Sequence, residues 1–264
     1  MKKDVVAGLG EIGMPILKIL SKKSTVIGFD TNQKLMNNVK YKKFESYSTS
    51  FLHVAIPITK NFPSQIISLF KKFSPECIVI HSTIAPGTTE TLQKKLTIPV
   101  IYSATRGVHR TMKKDLKKYT KFFAISPKAP KKQWATSTYM KKMKSCGIKT
   151  KKMSKPETLE LAKIICDTSY LGWLINYSQI SNMIAKNYGV NYDEMWTFSD
   201  EIHALLGNRP KMFPGFIGGH CVIPNLQLID NQTLNMIKEI NNIYDKKFKK
   251  ARTISKKYNQ KLNR

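Results

Sequence analysis

Residues 5–13, V-V-A-G-L-G-E-I-G, constrain this chain more than any other stretch. Gly8, Gly10 and Gly13 stand at G-x-G-x-x-G spacing. The apolar run Val5-Val6-Ala7 reads as a buried strand entering the turn, and Ile12, Ile16, Leu17 and Leu20 mark a helix leaving it. A second apolar run, 25–29, ends in Asp30, 22 positions after Gly8. Gly8 permits the tight turn, Gly10 lets a pyrophosphate approach the backbone, and Gly13 lets the helix pack against the strand. The helix start offers N–H groups and a positive dipole end to the phosphates. Glu11 and Ile12 lie inside that loop. Asp30 is placed to accept hydrogen bonds from ribose hydroxyls, which favours NAD over NADP, although Lys34 leaves room for NADP.

The first half continues to alternate apolar runs with helical patterns, which predicts an α/β class with a doubly wound parallel sheet, a Rossmann domain over 1–153. Strands are expected at 51–56, 77–80, 99–102 and 121–125, and helices at 33–39, 61–73 and 88–96. Ligands of such sheets lie beyond the carboxyl ends of the strands, which singles out Pro57, Thr59, Ser82 and Thr83 as lining the cofactor groove. A capping box, Ser154-Lys155-Pro156-Glu157, is expected to open a helical domain over 154–264, with one long helix to about residue 187. Lys163 and Asp167, four apart, share a face of it. Further helices are expected at 193–206 and 235–257, the last fraying in the lysine-rich end from 245 to 264.

The chain has 264 residues and a net charge of +28. Such a charge suits acidic partners, but 40 of the 45 basic residues are lysine, and Asn and Ile are abundant, as in an AT-rich genome. Codon drift with solubility is the favoured reading, and nonspecific nucleic-acid binding with steep salt dependence stays open. Between 106 and 155 the chain is basic with interleaved aromatics, expected as core rings under a solvated lysine face. No apolar run is long enough for a membrane span, and the basic N-terminus runs straight into the glycine turn, so a cytoplasmic protein without a signal peptide is expected. Cys77, Cys146, Cys166 and Cys221 are far apart, without C-x-x-C spacing, and are read as reduced thiols with no metal site. His53 and His81 are read as core histidines and His203 as a helix-surface residue.

The second informative stretch is G-F-I-G-G-H-C-V-I-P-N at 215–225. Glycines beside Cys221 allow a loop to present a thiol to a carbonyl carbon, and His220 or Lys163 could lower its pKa. The glycine-rich opening, I-H-S-T-I-A-P-G-T-T-E at 80–90, E-L-A-K at 160–163 and G-G-H-C at 218–221 occur in one order. Together they resemble the UDP-glucose/GDP-mannose dehydrogenase family, closest to the branch acting on UDP-N-acetylmannosamine-type sugars. The resemblance covers roughly 4–225, with 103–150 poorly matched.

That resemblance implies a four-electron oxidation with NAD. Cys221 would capture the aldehyde, Lys163 would stabilise oxyanions or support proton transfer, and Thr83 would help position water or substrate. It also implies a homodimer through the helix starting near Ser154. Gly218, Gly219 and His220 would line the substrate. Three departures accompany it. Asp167 and Asn225 stand where the family has Asn and Asp, a reciprocal exchange that suggests the two side chains face each other. The family's Glu after the fifth strand is replaced by S-A-T-R-G-V-H at 103–109, with His109 as a substitute. After Cys221 too few residues follow for the family's third, nucleotide-sugar-binding domain, so a short member is expected. The substrate is then smaller or held by a partner, and Arg106, His109, Arg110 and Arg209 could grip its phosphate or carboxylate. A two-electron hydroxyacid-type dehydrogenase that does not use the thiol, and a non-enzymatic NAD-binding protein with a polyanion-binding surface, remain as alternatives.

Overall fold

The computed structural model describes residues 1–36, 44 and 46–248. It divides into two compact units, 1–163 and 164–264. The expected helix segment at 37–39 and the chain beyond 248 lie outside the described residues.

The first unit holds a seven-stranded sheet. Its strands are β1 (Lys2–Ala7), β2 (Val26–Phe29), β3 (Ser48–Val54), β4 (Cys77–Ile80), β5 (Val100–Tyr102), β6 (Lys121–Ile125) and β7 (Thr150–Lys152). Their spatial order is β2-β1-β3-β4-β5-β6-β7. The reversal of order beside β1 is the switch point at which open α/β sheets bind ligands. Strands β2 to β5 are parallel neighbours, as expected, but β6 runs antiparallel to β5, with Ile101 opposite Ile125 and Tyr102 opposite Ala124. The chain between them returns to the carboxyl ends of the parallel strands, so β6 begins where β5 ends. Strand β7 then pairs parallel to β6.

The described helices of this unit are α1 (Gly13–Leu20), α2 (Gln33–Met36), α3 (Phe62–Phe73), α4 (Thr88–Lys95), α5 (Met112–Lys118), α6 (Lys132–Ser145) and α7 (Pro156–Ala162), with a 3-10 turn at His109–Thr111. Alternation along the strands separates two apolar clusters. Val6, Phe51, Cys77 and Val79 pack with Ile16 and Leu17 of α1, Met112 and Leu116 of α5, and Tyr139 of α6. Val5, Ala7, Leu52, Val54, Ile78 and Ile80 pack with Phe62 and Ile66 of α3, Leu92 of α4 and Leu159 of α7. Burial on both faces explains the near-continuous apolar runs of the strands. Of the aromatics in the basic stretch, Phe123 and Tyr139 are fully buried, and Trp134 stacks on Phe51 at 5.7 Å. Tyr119 stays exposed, with the Arg106 guanidinium 6.0 Å from its ring centre.

The expected Ser154 cap is corrected. Lys155 is the N-cap residue of α7 and no side chain caps it; Lys155 instead pairs with Glu157 at 3.1 Å. Pro156 in the first turn removes one of the N–H groups that a cap would serve. The long helix is also not uniform. Residues Lys163–Ser169 form a π-helical stretch, a local widening that frequently marks functional positions.

The second unit contains α8 (Tyr170–Asn187), α9 (Tyr192–Leu206), α10 (Ile223–Leu226) and α11 (Gln232–Lys247). Its core is Ile164, Ile217, Val222, Leu226 and Ile237, with Trp173 and Ile175 beside them. Gly172 lies under this core; a Cβ there would meet Ile237 at 3.2 Å and Val222 at 3.3 Å. No described helix is long and apolar enough to cross a membrane.

Candidate functional site

The glycine loop has the geometry its spacing requires. Gly8 has φ +88°, and a Cβ on it would fall 2.5 Å from the carbonyl oxygen of Ala55. A Cβ on Gly13 would lie 1.6 Å from the carbonyl oxygen of Gly8, so the helix start closes directly on the strand end. A Cβ on Gly10 would meet nothing within 4 Å. That open space beside the backbone is what a pyrophosphate needs. Asp30 closes the loop from β2: its Oδ2 accepts the Leu9 N–H at 2.7 Å and its Oδ1 accepts the Asn32 N–H at 2.8 Å. The residues present therefore fit a dinucleotide.

The loops beyond β3 and β4 are tied side by side. Ser82 Oγ donates to the carbonyl of Ile56 at 2.6 Å, next to Pro57, while Thr59 Oγ1 donates to Gln65 at 3.3 Å. Thr83 follows on the same edge.

Glu160 joins two motifs more than seventy positions apart. It accepts the Gly87 N–H at 2.6 Å, the Thr89 N–H at 3.0 Å and the Thr89 hydroxyl at 2.6 Å. It thus caps α4, and it fixes E-L-A-K, with Lys163 at its end, against the P-G-T-T turn. Burial raises its pKa, against the opposing pull of the Thr89 and Gly87 bonds. In the sequence Glu160 stands only as part of E-L-A-K, because its role depends on a Gly-Thr-Thr helix start that the fold alone sets opposite it.

Residues 103–106, part of the stretch that stands in place of the Glu of the resembled family, are held by a buried polar group. Lys121 Nζ donates to the carbonyls of Ser103 at 3.1 Å and Ala104 at 3.3 Å, and to Thr105 Oγ1 at 3.1 Å. Burial, then the charges of Arg106 and Lys163, push its pKa down to about 7. Ser103 also receives His81. Because a carbonyl only accepts, His81 Nδ1 donates to Ser103 O at 3.2 Å, and His81 Nε2 accepts from His53 Nδ1 at 3.0 Å. Both histidines are neutral core residues, as expected; burial drives both pKa values down, that of His53 to about 3. Arg106 Nη2 donates to the carbonyl of Thr120 at 2.8 Å.

His109 and Glu11 are brought together, with Nδ1 and Oε2 2.8 Å apart. Sequence reasoning had placed them in different subsites.

In the second unit, three side-chain amides and one phenol build the segment leading to G-G-H-C. Asn241 Oδ1 accepts the Ile217 N–H at 2.8 Å while its Nδ2 donates to Ile217 O at 3.1 Å. Gln179 Nε2 donates to Gly215 O at 2.7 Å and to Asn241 at 3.0 Å, and Asn176 donates to Gln179 at 2.8 Å. Tyr244 OH donates to Pro214 O at 2.6 Å. These four residues were missed by sequence reasoning, because polar positions in amphipathic helices read as solvated. Gly219 has φ +76°, and His220 and Cys221 are exposed. Asn225 Nδ2 donates to the Cys221 carbonyl at 2.6 Å. His203 Nδ1 accepts the Arg209 N–H at 3.1 Å, closing the end of α9.

No protein-family model and no curated protein matches the sequence. Solved structures match by shape. A UDP-D-ManNAc dehydrogenase from Pyrococcus horikoshii superposes with a TM-score of 0.73 at 17% identity, over 92% of this chain and 69% of its own. A UDP-N-acetyl-mannosamine dehydrogenase from Staphylococcus aureus does so at 0.68 and 17% identity, over 92% and 68%. A 3-hydroxyisobutyrate dehydrogenase from Mycobacterium tuberculosis does so at 0.64 and 12% identity, over 93% and 94%. The chain has the fold of the UDP-sugar dehydrogenases, the fold that the order of its four motifs leads one to expect.

Proposed function

We propose that the chain is an NAD-dependent dehydrogenase of an alcohol on a sugar, nucleotide-sugar or related anionic substrate. The observation that carries this reading is the cofactor loop. Open space at Gly10 faces a helix start, and Asp30 holds the Leu9 N–H while offering a carboxylate suited to a ribose diol. NAD, when bound, supplies a hydride acceptor. Lys163 stabilises the substrate oxygen as an alkoxide while its hydroxyl proton passes to water, and Asp167 and Asn225 orient that chemistry through hydrogen bonds. In the four-electron route the Cys221 thiolate adds to the aldehyde carbon as a thiohemiacetal. After the second oxidation, water cleaves the resulting thioester, releasing a carboxylate and restoring the thiol. Arg106 supplies positive charge for the substrate's anionic group.

The second reading, a two-electron oxidation without the thiol, is favoured by the near end-to-end match to the 3-hydroxyisobutyrate dehydrogenase. A screen of NAD reduction across nucleotide sugars, phosphorylated sugars and hydroxyacids tests the activity. Stoichiometry then separates the routes: two NADH per substrate in the wild type and one in Cys221→Ala supports the thiol route. Full, unchanged turnover by Cys221→Ala sinks it. No reduction with any of these substrates counts against the enzyme reading.

We further propose a homodimer through the long helix. Tyr170, Tyr177 and Ile184 recur at seven-residue spacing on α8 and are exposed, Tyr177 by 63%. Sedimentation of Tyr177→Asp, expected at half the wild-type mass, checks this.

A further inference from the structure

The antiparallel register of β5 and β6 sets Tyr102 opposite Ala124, so Lys121, the first residue of β6, lies level with the loop that follows β5. That is the carboxyl edge of the parallel strands, where open α/β sheets bind ligands. Lys121 is only 5% exposed. Its ammonium spends its three N–H groups on the carbonyls of Ser103 and Ala104 and the hydroxyl of Thr105, all of them neutral acceptors. Among the described residues no carboxylate pairs with Lys121, and the charges that act on it, Arg106 and Lys163, are both positive. A buried cation is costly unless an anion accompanies it.

Arg106, Asp115, Tyr119, Thr120 and Lys121 line one cleft. The Arg106 guanidinium is held from one side of it. Its Nη2 donates to the Thr120 carbonyl at 2.8 Å, and the ring centres of Phe122 and Tyr119 lie 5.0 and 6.0 Å away. A guanidinium fixed through one of its five N–H groups keeps a fork suited to an oxyanion. Asp115 is the one acid on the cleft wall, and its Oδ2 is turned to the Val108 N–H and the Thr111 hydroxyl. The other titratable groups around the Lys121 anchor are neutral. Burial keeps His81, which donates to the same Ser103 carbonyl, uncharged, and raises the pKa of the Tyr139 phenol, which donates to Ser103 Oγ.

We propose that this cleft is an anion subsite, in which Arg106 grips a phosphate or carboxylate group of the substrate and Lys121 supplies a buried counter-charge. This rests on the dehydrogenase reading above and adds to Arg106 a second cation that no sequence motif marks. Binding then carries a proton with it. Lys121 titrates near neutral pH in the folded chain, and an anion beside it favours the charged form, so the protein takes up part of a proton as the anion binds.

Calorimetric titration of the full chain with sulfate tests this, because sulfate does not itself titrate near neutrality. At about pH 7.5, in two buffers of different ionisation enthalpy, the wild type is expected to bind sulfate with uptake of about half a proton or more. Lys121→Met is expected to weaken sulfate about tenfold and to lose the uptake. Arg106→Ala is expected to weaken it about tenfold and to keep the uptake in what still binds. NADH affinity and circular dichroism are expected to match the wild type in both variants. Should Lys121→Met not fold, Arg106→Ala and the proton uptake of the wild type decide. With a substrate from the NAD-reduction screen, sulfate is expected to compete, and both variants to raise KM more than they lower kcat. No saturable sulfate binding by the wild type, equal affinity in all three proteins, or binding without proton uptake overturns the proposal. Sulfate that binds without competing overturns the assignment of the subsite to the substrate. A wild type that binds sulfate with proton uptake but reduces no NAD in the screen counts against the dehydrogenase reading and leaves the anion subsite standing.

Discussion

Glu160 and Thr89 meet twice, through the Thr89 N–H at 3.0 Å and its hydroxyl at 2.6 Å, and so join the E-L-A-K helix to the start of α4. Truncation by Glu160→Ala removes an acceptor for three donors, two of them backbone N–H groups at a helix start. The expected cost is about 2–3 kcal/mol, the range for leaving buried donors unsatisfied. A lower denaturant midpoint with an unchanged m-value is the expected result. Glu160→Gln should recover only part of the loss, since an amide supplies one acceptor oxygen where the carboxylate uses two. An unchanged midpoint in both variants would show that the cap is dispensable.

The sequence was most readable where local stereochemistry permits a single residue type. Gly8 and Gly13 answer to a positive φ and to a helix closing on a strand, so their spacing survives as a pattern. Strand β6 was located as a run but not as antiparallel, because an apolar run carries no direction. The π-helical stretch at Lys163–Ser169 has no marker either, since one widened turn keeps the same apolar face. Asn176, Gln179 and Asn241 were invisible for a different reason. Gln179 and Asn241 find their partners in the backbone of Gly215 and Ile217, and Asn176 finds its own in the Gln179 side chain and the Ile237 carbonyl, all of which only the tertiary fold brings to them.

Lys121 gives a pH dependence with a definite sign. Its pKa is lowered to about 7 in the folded chain, by burial first and by Arg106 and Lys163 second, from an ordinary 10.5. Between about 7 and 10.5 the unfolded chain therefore holds a proton that the folded chain has released. Stability through this group rises with pH across that window, and the penalty for burying the charge is full below it. His53 and His81 act in the same sense at lower pH: stability falls as pH drops below 6.5, where they protonate once unfolded. The unfolding free energy of the wild type should therefore rise relative to that of Lys121→Met between pH 7 and 10, and the two curves should run parallel below pH 7. Curves parallel throughout would show that Lys121 does not titrate in this window.

Asn241 is expected to control the cysteine loop without touching it. It holds both backbone groups of Ile217 and one hydrogen of Gln179. Asn241→Ala should free the segment ahead of Gly218 and expose the Ile217 amide to exchange, shortening its protection by at least tenfold. The rate of Cys221 modification by an aromatic disulfide should change with it, read against a Cys166→Ser background because Cys166 is also exposed. Unchanged exchange at Ile217 would remove Asn241 from the machinery that shapes the loop.

Gly10 and Gly13 separate binding from folding. A methyl group on Gly13 would lie 1.6 Å from the Gly8 carbonyl oxygen, and backbone cannot yield by that much, so Gly13→Ala should unfold the N-terminal turn and lower stability sharply. A methyl group on Gly10 meets no protein atom within 4 Å, so Gly10→Ala should keep the wild-type unfolding free energy within about 0.5 kcal/mol. On the proposed reading, the space it fills is where the dinucleotide's pyrophosphate approaches the backbone. NADH affinity should fall by at least tenfold in Gly10→Ala, measured on a protein whose circular dichroism and melting curve match the wild type. Intact affinity in that variant would mean that the pyrophosphate does not approach the backbone at Gly10. The loop would then serve only as a tight strand-to-helix turn, as it does in sheets that bind no nucleotide.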